Sequence, residues 1–228
     1  MSGKDPRDLQ QFAPSVVRQK SRLVVSFFFR KHEHSLALTK LYREFLANVM
    51  DKTRNRGLGC PSEESFHNQD ALKDLVAMYN LGTVIASAWS SKLGQREKLN
   101  LEREIGDETR RLEYALHVAA QCLEMSIVIG SELSIDGEKA LFNEVTKEMV
   151  PLPIIDELDM VYLPVYHDLD LGNFSHIMVD EMQDLTRILY LFVQQLTFRG
   201  ANLLMVGDYA QSLYLWSGGD LVRTAIFR

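Results

Sequence analysis

The sequence predicts an α/β protein in which a mostly helical region precedes a small parallel sheet. Two observations lead to this fold class. Apolar residues recur at helical spacing through most of the first 150 positions, and two short apolar runs flank one amphipathic segment near the other end. We therefore expect a mostly helical subdomain with an N-terminal arm over residues 1–150, and a sheet-containing region over residues 151–228.

Helical patterns dominate the first region. Ser35 is a suitable N-cap for a helix whose apolar residues recur every three or four positions from Leu38 to Val49. Three further helices are expected, over residues 68–79, 99–129 and 138–149. Pro151 and Pro153 would end the last of them, because proline cannot donate the backbone hydrogen bond that a continuing helix needs.

Three other segments lack this pattern. The β-branched and aromatic run RLVVSFFF, Arg22–Phe29, predicts a buried strand. The segment 51–61 contains two glycines and a proline and predicts a loop, in which Lys52, Arg54 and Arg56 either contact phosphate groups or are solvated. The small apolar residues at 81–90 fit a helix or a strand.

Composition narrows the class of protein. The 228 residues are 46% hydrophobic and 25% charged, which is typical of a globular protein. With 25 Lys and Arg against 31 Asp and Glu, the net charge is −6, so any nucleic-acid binding requires a local basic patch. Two distant cysteines exclude a disulfide scaffold and a four-thiolate zinc site. We find no apolar run or leader suited to a membrane, and expect an intracellular protein without a membrane partner.

Carboxylates follow both apolar runs of the second region. His176–Val179 is followed by Asp180 and Glu181, and the run 201–206 is followed by Gly207 and Asp208. With a helix between them, these runs predict a strand–helix–strand unit whose parallel strands end at one edge. Asp180 and Glu181 either cap the next helix, or hold Mg²⁺ and activate a water molecule, as phosphoryl transfer requires.

Three motifs resemble those of the UvrD/Rep-type superfamily 1 DNA helicases. The run HIMVDEMQD at 176–184 is similar to motif II of that family, in which a strand precedes D-E-x-Q-D. The run VGDYAQSLYLW at 206–216 is similar to motif III, and IDELDMVYLP at 155–164 resembles the segment that precedes motif II. The resemblance covers residues 155–220 and implies part of a RecA-like P-loop NTPase sheet.

The resemblance also implies roles for individual residues. Asp180 would bind the Mg²⁺ of MgATP, Glu181 would activate water, and Gln183 would support the nucleotide site. Gln211 would sense the γ-phosphate of ATP, and Trp216 would stack on a base of single-stranded DNA. Ser65-Phe66-His67 is similar to a DNA-contacting T-[FI]-H-S segment of the family, by descent or by chance, and His67 is therefore a candidate nucleic-acid contact.

The sequence also departs from the family pattern. Ser217 stands where the family has an arginine after motif III, and no G-x-x-x-x-G-K-[ST] phosphate loop occurs in the 228 residues. Because the chain ends at Arg228, the resemblance predicts a helicase portion that is inactive alone. Two alternatives remain: a non-catalytic module that binds nucleic acid or a partner, and a split motor whose phosphate loop lies on a second chain.

Overall fold

A computed structural model describes residues 20–127, 140–143, 148–151 and 154–208. Within these ranges, six helices come first: α1 (Lys20–Lys31), α2 (Leu36–Asn55), α3 (Gln69–Met78), α4 (Gly82–Ser91), α5 (Gln95–Glu104) and α6 (Glu108–Ser126). The hairpin strands β1 (Ala140–Asn143) and β2 (Glu148–Pro151) follow. The remaining elements are α7 (Asp159–Tyr166), β3 (His176–Val179), a short 3-10 turn (Met182–Asp184), α8 (Arg187–Thr197) and β4 (Asn202–Met205).

Helix α2 lies at the centre of the hydrophobic core and packs against α1, α4 and α6. Its apolar stripe is buried, including Tyr42, Phe45 and Leu46. The Ser35 side chain accepts a hydrogen bond from the backbone N–H of Leu38, so the predicted cap is confirmed. The helix expected over 68–79 is α3, which Asn68 caps in the same way.

The strand predicted for Arg22–Phe29 is wrong, because these residues lie in helix α1. Six of its apolar side chains are buried: Leu23, Val24, Val25, Phe27, Phe28 and Phe29. A helix that is buried on most of its faces has no polar side. Its sequence therefore lacks the alternation of apolar and polar residues, every three to four positions, that marks a helix at the surface. Packing against α2 and α6 outweighs the modest β-propensity of the side chains.

The helix predicted for 138–149 is also wrong. This part of the chain contains β1 and β2, which pair antiparallel with Ala140 opposite Pro151 and Asn143 opposite Glu148. The cross-strand hydrogen bonds replace those of a helix, and β1 also contacts α1. Pro151 is tolerated at the end of a two-stranded ladder, where its missing N–H costs little.

Helix boundaries differ from the predictions in two further places, and one segment left open by the sequence is resolved. The loop predicted for 51–61 starts later, because α2 continues to Asn55. The helical region predicted for 99–129 is two helices, since Gly106 adopts φ 97° and Asp107 caps α6. The ambiguous segment 81–90 is helical and forms α4.

The strand–helix–strand prediction is confirmed. Strands β3 and β4 pair in parallel, with His176 opposite Asn202 and Val179 opposite Met205. Helix α8 connects them and packs on α7. The chain is therefore α/β, with a mostly helical portion followed by a small parallel sheet. In the part of the chain that the structure describes, no helix is long and apolar enough to cross a membrane.

An ionic cluster, formed by Lys20, Asp51, Arg54, Asp156 and Asp159, joins α1, α2 and α7, and all of its members except the half-exposed Asp51 are buried. Arg54 is 1% exposed and donates to Asp156 at 2.9 and 2.8 Å, to Asp159 at 2.7 Å and to Asp51 at 2.8 Å. Lys20 donates to Asp159 and to the carbonyl of Ser126. Arg54 is therefore neither a phosphate contact nor solvated, contrary to both readings of its sequence.

We expect Arg54→Met to lower the free energy of unfolding by about 3–5 kcal/mol, because it leaves buried carboxylates without their cation. Urea denaturation of the full chain measures this loss. The matched control is Arg22→Met, whose arginine pairs with Glu44 at 2.8 Å on the surface and should cost less than about 1 kcal/mol. Equal losses in the two variants would contradict a structural role for the ionic cluster.

Candidate functional site

Three carboxylates lie at one end of the parallel sheet. Asp180 directly follows β3, and Asp208 comes three positions after the last residue of β4. Because Val179 pairs with Met205, both strands end at the same edge. Asp180, Glu181 and Asp208 are all exposed. The structure thus brings together the acidic strand ends that the sequence pattern predicts.

Glu181 occupies an unusual backbone conformation at this edge. Its φ of 53° and ψ of 42° place it in the left-handed region, which is costly for a residue other than glycine. Its backbone N–H donates to the Asp180 carboxylate at 2.9 Å, which helps to hold the turn. The chain therefore reverses sharply after β3 and presents two adjacent carboxylates beside the sheet.

Gln183 connects the two strand ends. Its side chain is 5% exposed, its amide nitrogen donates to the Glu181 carboxylate, and its amide oxygen accepts from the backbone N–H of Asp208 at 2.9 Å. A carboxamide can make both bonds because it carries a donor and an acceptor. Gln183 thereby links the turn after β3 to the chain that follows β4.

The backbone at Gly207 leaves no room for a side chain. The N–H of Met182 donates to the carbonyl of Val206 at 3.0 Å, which holds the 3-10 turn against the end of β4. A Cβ atom at Gly207 would lie 2.3 Å from Oε1 of Gln183 and 2.5 Å from Cγ of Met182. Sequence analysis missed this contact, although a glycine directly after a strand is a signal for close backbone approach.

The carboxylates do not form a preassembled metal cage. Among the described residues, no group of three or more His, Cys, Asp or Glu side chains is arranged to hold a metal ion. Mg²⁺ commonly takes only one or two protein carboxylates and completes its coordination with substrate phosphates and water. The two adjacent carboxylates therefore suit an ion that arrives with a phosphate ligand.

The other predicted site residues lie elsewhere. Gln211 and Trp216 fall outside the described residues. His67 lies in the loop before α3, where its Nε2 is 3.1 Å from the carboxylate of Glu124 in α6. The structure therefore brings together Asp180, Glu181 and Gln183 but places His67 beside a different element.

We expect Gly207→Ala to lower the free energy of unfolding by about 1–3 kcal/mol, because the new methyl group overlaps Gln183 and Met182. Urea denaturation measures the loss, and amide hydrogen exchange at Met182 reports whether the turn opens. Gly82→Ala is the matched control, since its Cβ would meet nothing within 4 Å. A Gly207→Ala protein as stable as this control would refute the close contact.

Comparisons with known proteins concern the same part of the chain. A family described as "UvrD/REP helicase N-terminal domain" matches residues 170–225. The ATP-dependent DNA helicase PcrA of Bacillus subtilis is 46% identical over 55 residues, which are 24% of this chain and 7% of that protein. DNA helicase II of Haemophilus influenzae is 40% identical over 49 residues, 22% of this chain and 7% of that protein. No solved structure matches this chain. Residues 170–225, which contain β3, the turn at 180–184 that we call the acidic turn, and β4, are therefore similar to part of the UvrD/Rep helicase N-terminal domain, and the chain spans only about 7% of the length of these relatives.

Proposed function

We propose that this chain is part of an ATP-dependent DNA helicase or translocase, in which ATP hydrolysis drives movement along single-stranded DNA. The observation that carries the proposal is the linkage of Asp180 and Glu181, at the end of β3, to the end of β4 through Gln183. Residues 151–228 would form part of a RecA-like motor domain. The names of the matching relatives, which are DNA helicases, support the same conclusion.

In this proposal Asp180 holds Mg²⁺, directly or through water, when the ion arrives bound to ATP. The fit rests on the donor chemistry, because carboxylate oxygens are the ligands that Mg²⁺ prefers and both Asp180 and Glu181 are exposed. When bound, the ion would neutralise charge on the phosphates.

Glu181 would act as the base toward the attacking water. The bond from Gln183 occupies one carboxylate oxygen, Oε2, and leaves the other to accept a proton. The same bond restricts rotation of the Glu181 side chain. This restriction favours catalysis, because a base that rotates freely cannot hold the attacking water in one orientation. Gln183 would thus be a positioning residue for Glu181.

The link from Gln183 to Asp208 suggests how nucleotide and DNA binding are coupled. Asp208 begins the segment that continues to Gln211 and Trp216, which we propose contact the γ-phosphate and a DNA base, respectively. A shift of Glu181 on hydrolysis would pull on Gln183 and so on the backbone of Asp208. A direct hydrogen-bonded path of this kind requires no contact between nucleotide and DNA.

The sheet seen here is too small to serve as a motor domain by itself. Its apolar side chains are open to solvent, with Met178 79% and Leu204 55% exposed, whereas parallel sheets are normally covered on both faces. We propose that a segment carrying the phosphate loop, from the same polypeptide or a second chain, completes the sheet. The 228 residues alone would then hydrolyse ATP negligibly.

A non-catalytic nucleic-acid-binding or partner-binding module is the second candidate. The observation that favours it is the absence of G-x-x-x-x-G-K-[ST] from the sequence, since that loop supplies the amides and lysine that hold phosphates. The two candidates differ in whether the acidic turn binds a metal–nucleotide complex.

We expect Mn²⁺ with ATP, used as a paramagnetic substitute for Mg²⁺, to broaden the amide NMR signals of residues 180–184. The broadening should be lost in Asp180→Asn, because the variant removes the proposed ligand. Asp74→Asn is the matched control, since it removes one exposed carboxylate from α3 and changes the net charge equally.

Unselective broadening, or identical broadening in both variants, would contradict the metal site and favour the non-catalytic module.

ATP hydrolysis by the isolated chain should remain at background with or without oligo-dT. Turnover that DNA stimulates and that Glu181→Gln abolishes would contradict the inactivity of the isolated chain, while supporting the proposed role of Glu181.

We also expect Trp216→Ala to weaken binding of oligo-dT by about 5- to 150-fold, because stacking of one base contributes about 1–3 kcal/mol. Trp89 is the other of two tryptophans and stacks under Arg111 at 4.1 Å. The variant Trp89→Phe therefore leaves Trp216 as the only tryptophan, and fluorescence anisotropy of labelled oligo-dT measures the affinity of both variants. The titration belongs at low salt, where phosphate contacts are strongest.

Trp89→Phe is also the control, and it should bind oligo-dT as the unchanged chain does. If Trp216→Ala binds equally well, or if its thermal unfolding temperature collapses, then Trp216 is a packing residue and the proposed base contact fails.

A further inference from the structure

A groove rich in cations separates the end of α1 from the start of α2. It encloses a cavity of about 440 Å³, and its polar lining includes Arg30, His34, Thr39, Lys40, Arg43 and Lys92. We call this cavity the basic groove. It lies in the helical part of the chain, outside the acidic turn and outside the segment that matches the helicase family.

Helical spacing explains why these side chains meet. Residues 26, 29 and 30 occupy one face of α1, and residues 36, 39, 40 and 43 occupy one face of α2 at spacings of three and four. The two helices pack together, so the two faces form opposite walls. Lys92, which directly follows α4, adds a cation from a third segment.

The charge of the groove is strongly local. Four permanent cations line it and no carboxylate does, although the chain as a whole has a net charge of −6. Lys40 pairs with Glu97 at 3.0 Å and Arg43 lies 3.8 Å from Glu44, outside the lining. Both pairs are partly exposed, and such pairs are weak enough to exchange for a phosphate.

The start of helix α2 also favours an anion here. Helix α2 begins at the groove and has no acidic residue in its first turn, so the positive end of its dipole is uncompensated by a carboxylate there. His34 adds no fixed charge to the groove, because burial and the neighbouring His32 lower the pKa of its ring.

We propose that the basic groove binds the phosphate backbone of a nucleic-acid strand. The inference rests on the proposed function and extends it, by assigning a phosphate contact to the helical part of the chain. Cations from three segments along an open groove suit repeated negative charges, and phosphate contacts supply affinity without reading base sequence. Thr39 would add a hydroxyl donor to the same phosphates.

The test compares two double variants of the full chain by fluorescence anisotropy of labelled dT20 at several salt concentrations. Lys40→Gln/Lys92→Gln removes two cations of the groove, and Lys73→Gln/Arg110→Gln removes two elsewhere. The groove variant should reduce the slope of log affinity against log salt by about 1.4, the value for two lost contacts on a single strand. The control should keep the original slope.

A third variant separates charge from structure. Glu97→Gln breaks the pair with Lys40 but leaves that cation in place, so its affinity for dT20 should be unchanged or higher. If Glu97→Gln lost as much affinity for dT20 as the groove variant does, the effect of the groove variant would come from the broken ion pair and not from phosphate binding. That result would overturn the inference. Equal losses in both double variants would overturn it as well, because net charge alone would then explain binding.

Inorganic pyrophosphate identifies the size of the ligand. Suppose that pyrophosphate binds the unchanged chain and that this binding requires Lys40 and Lys92, whereas the salt slope for dT20 is the same without them. The groove is then a small-anion site and the inference fails.

The Trp216→Ala titration is independent of this result. An unchanged slope in the groove variant with a loss in Trp216→Ala overturns this inference alone, and the reverse pattern overturns the proposed base contact alone.

Discussion

One buried guanidinium connects the helical part of the chain to the part that carries the sheet. Arg54 projects from α2 and bonds carboxylates that lead into α7, while Lys20 of α1 bonds Asp159 from another side. Charges so deeply buried are stable only with their partners in place, so any other docking of α7 would leave ions unpaired. The ionic cluster therefore selects one arrangement of α1, α2 and α7.

That arrangement determines where the acidic turn lies. Helix α7 packs on α8, and α8 is the connection between β3 and β4. Polar contacts reinforce this order: Tyr162 donates to the carbonyl of Leu58 at 2.6 Å, and Arg187 of α8 donates to Glu63 at 3.0 Å through Nε. The ion pairs position α7, α7 positions α8, and α8 positions the ends of β3 and β4. The strand ends therefore depend on ion pairs that are remote from them in sequence.

Features with a local cause could be predicted from the sequence. Ser35 bonds an N–H three residues away, and each apolar run that ends in carboxylates carries its own signal for a strand. Features that depend on distant partners could not. Arg54 lies in a basic, glycine-containing stretch and gives no sign of burial, and Phe27–Phe29 have the composition of a strand until α2 and α6 cover them.

The same distinction applies to the candidate site. The carboxylates of Asp180 and Glu181 are visible as a motif, whereas the bond from Asp208 to Gln183 and the lack of space at Gly207 appear only when β4 lies beside the turn. The basic groove shows most clearly what cannot be predicted from the sequence. Its cations are spread from Arg30 to Lys92 among many acidic residues, and only the packing of α1 on α2 brings them to one cavity.

The two sites differ in the sign of their charge, and this difference constrains how they would be used. Exposed carboxylates at the strand ends repel bare phosphate groups, so a nucleotide can approach them only with a cation. The basic groove attracts phosphates without any ion. A nucleic acid would therefore be held at the helical part and kept away from the acidic turn, which stays open to a metal–nucleotide complex. Under the proposed function, Mg²⁺ would then determine which phosphate ligand the acidic turn accepts, whereas the basic groove would need no ion.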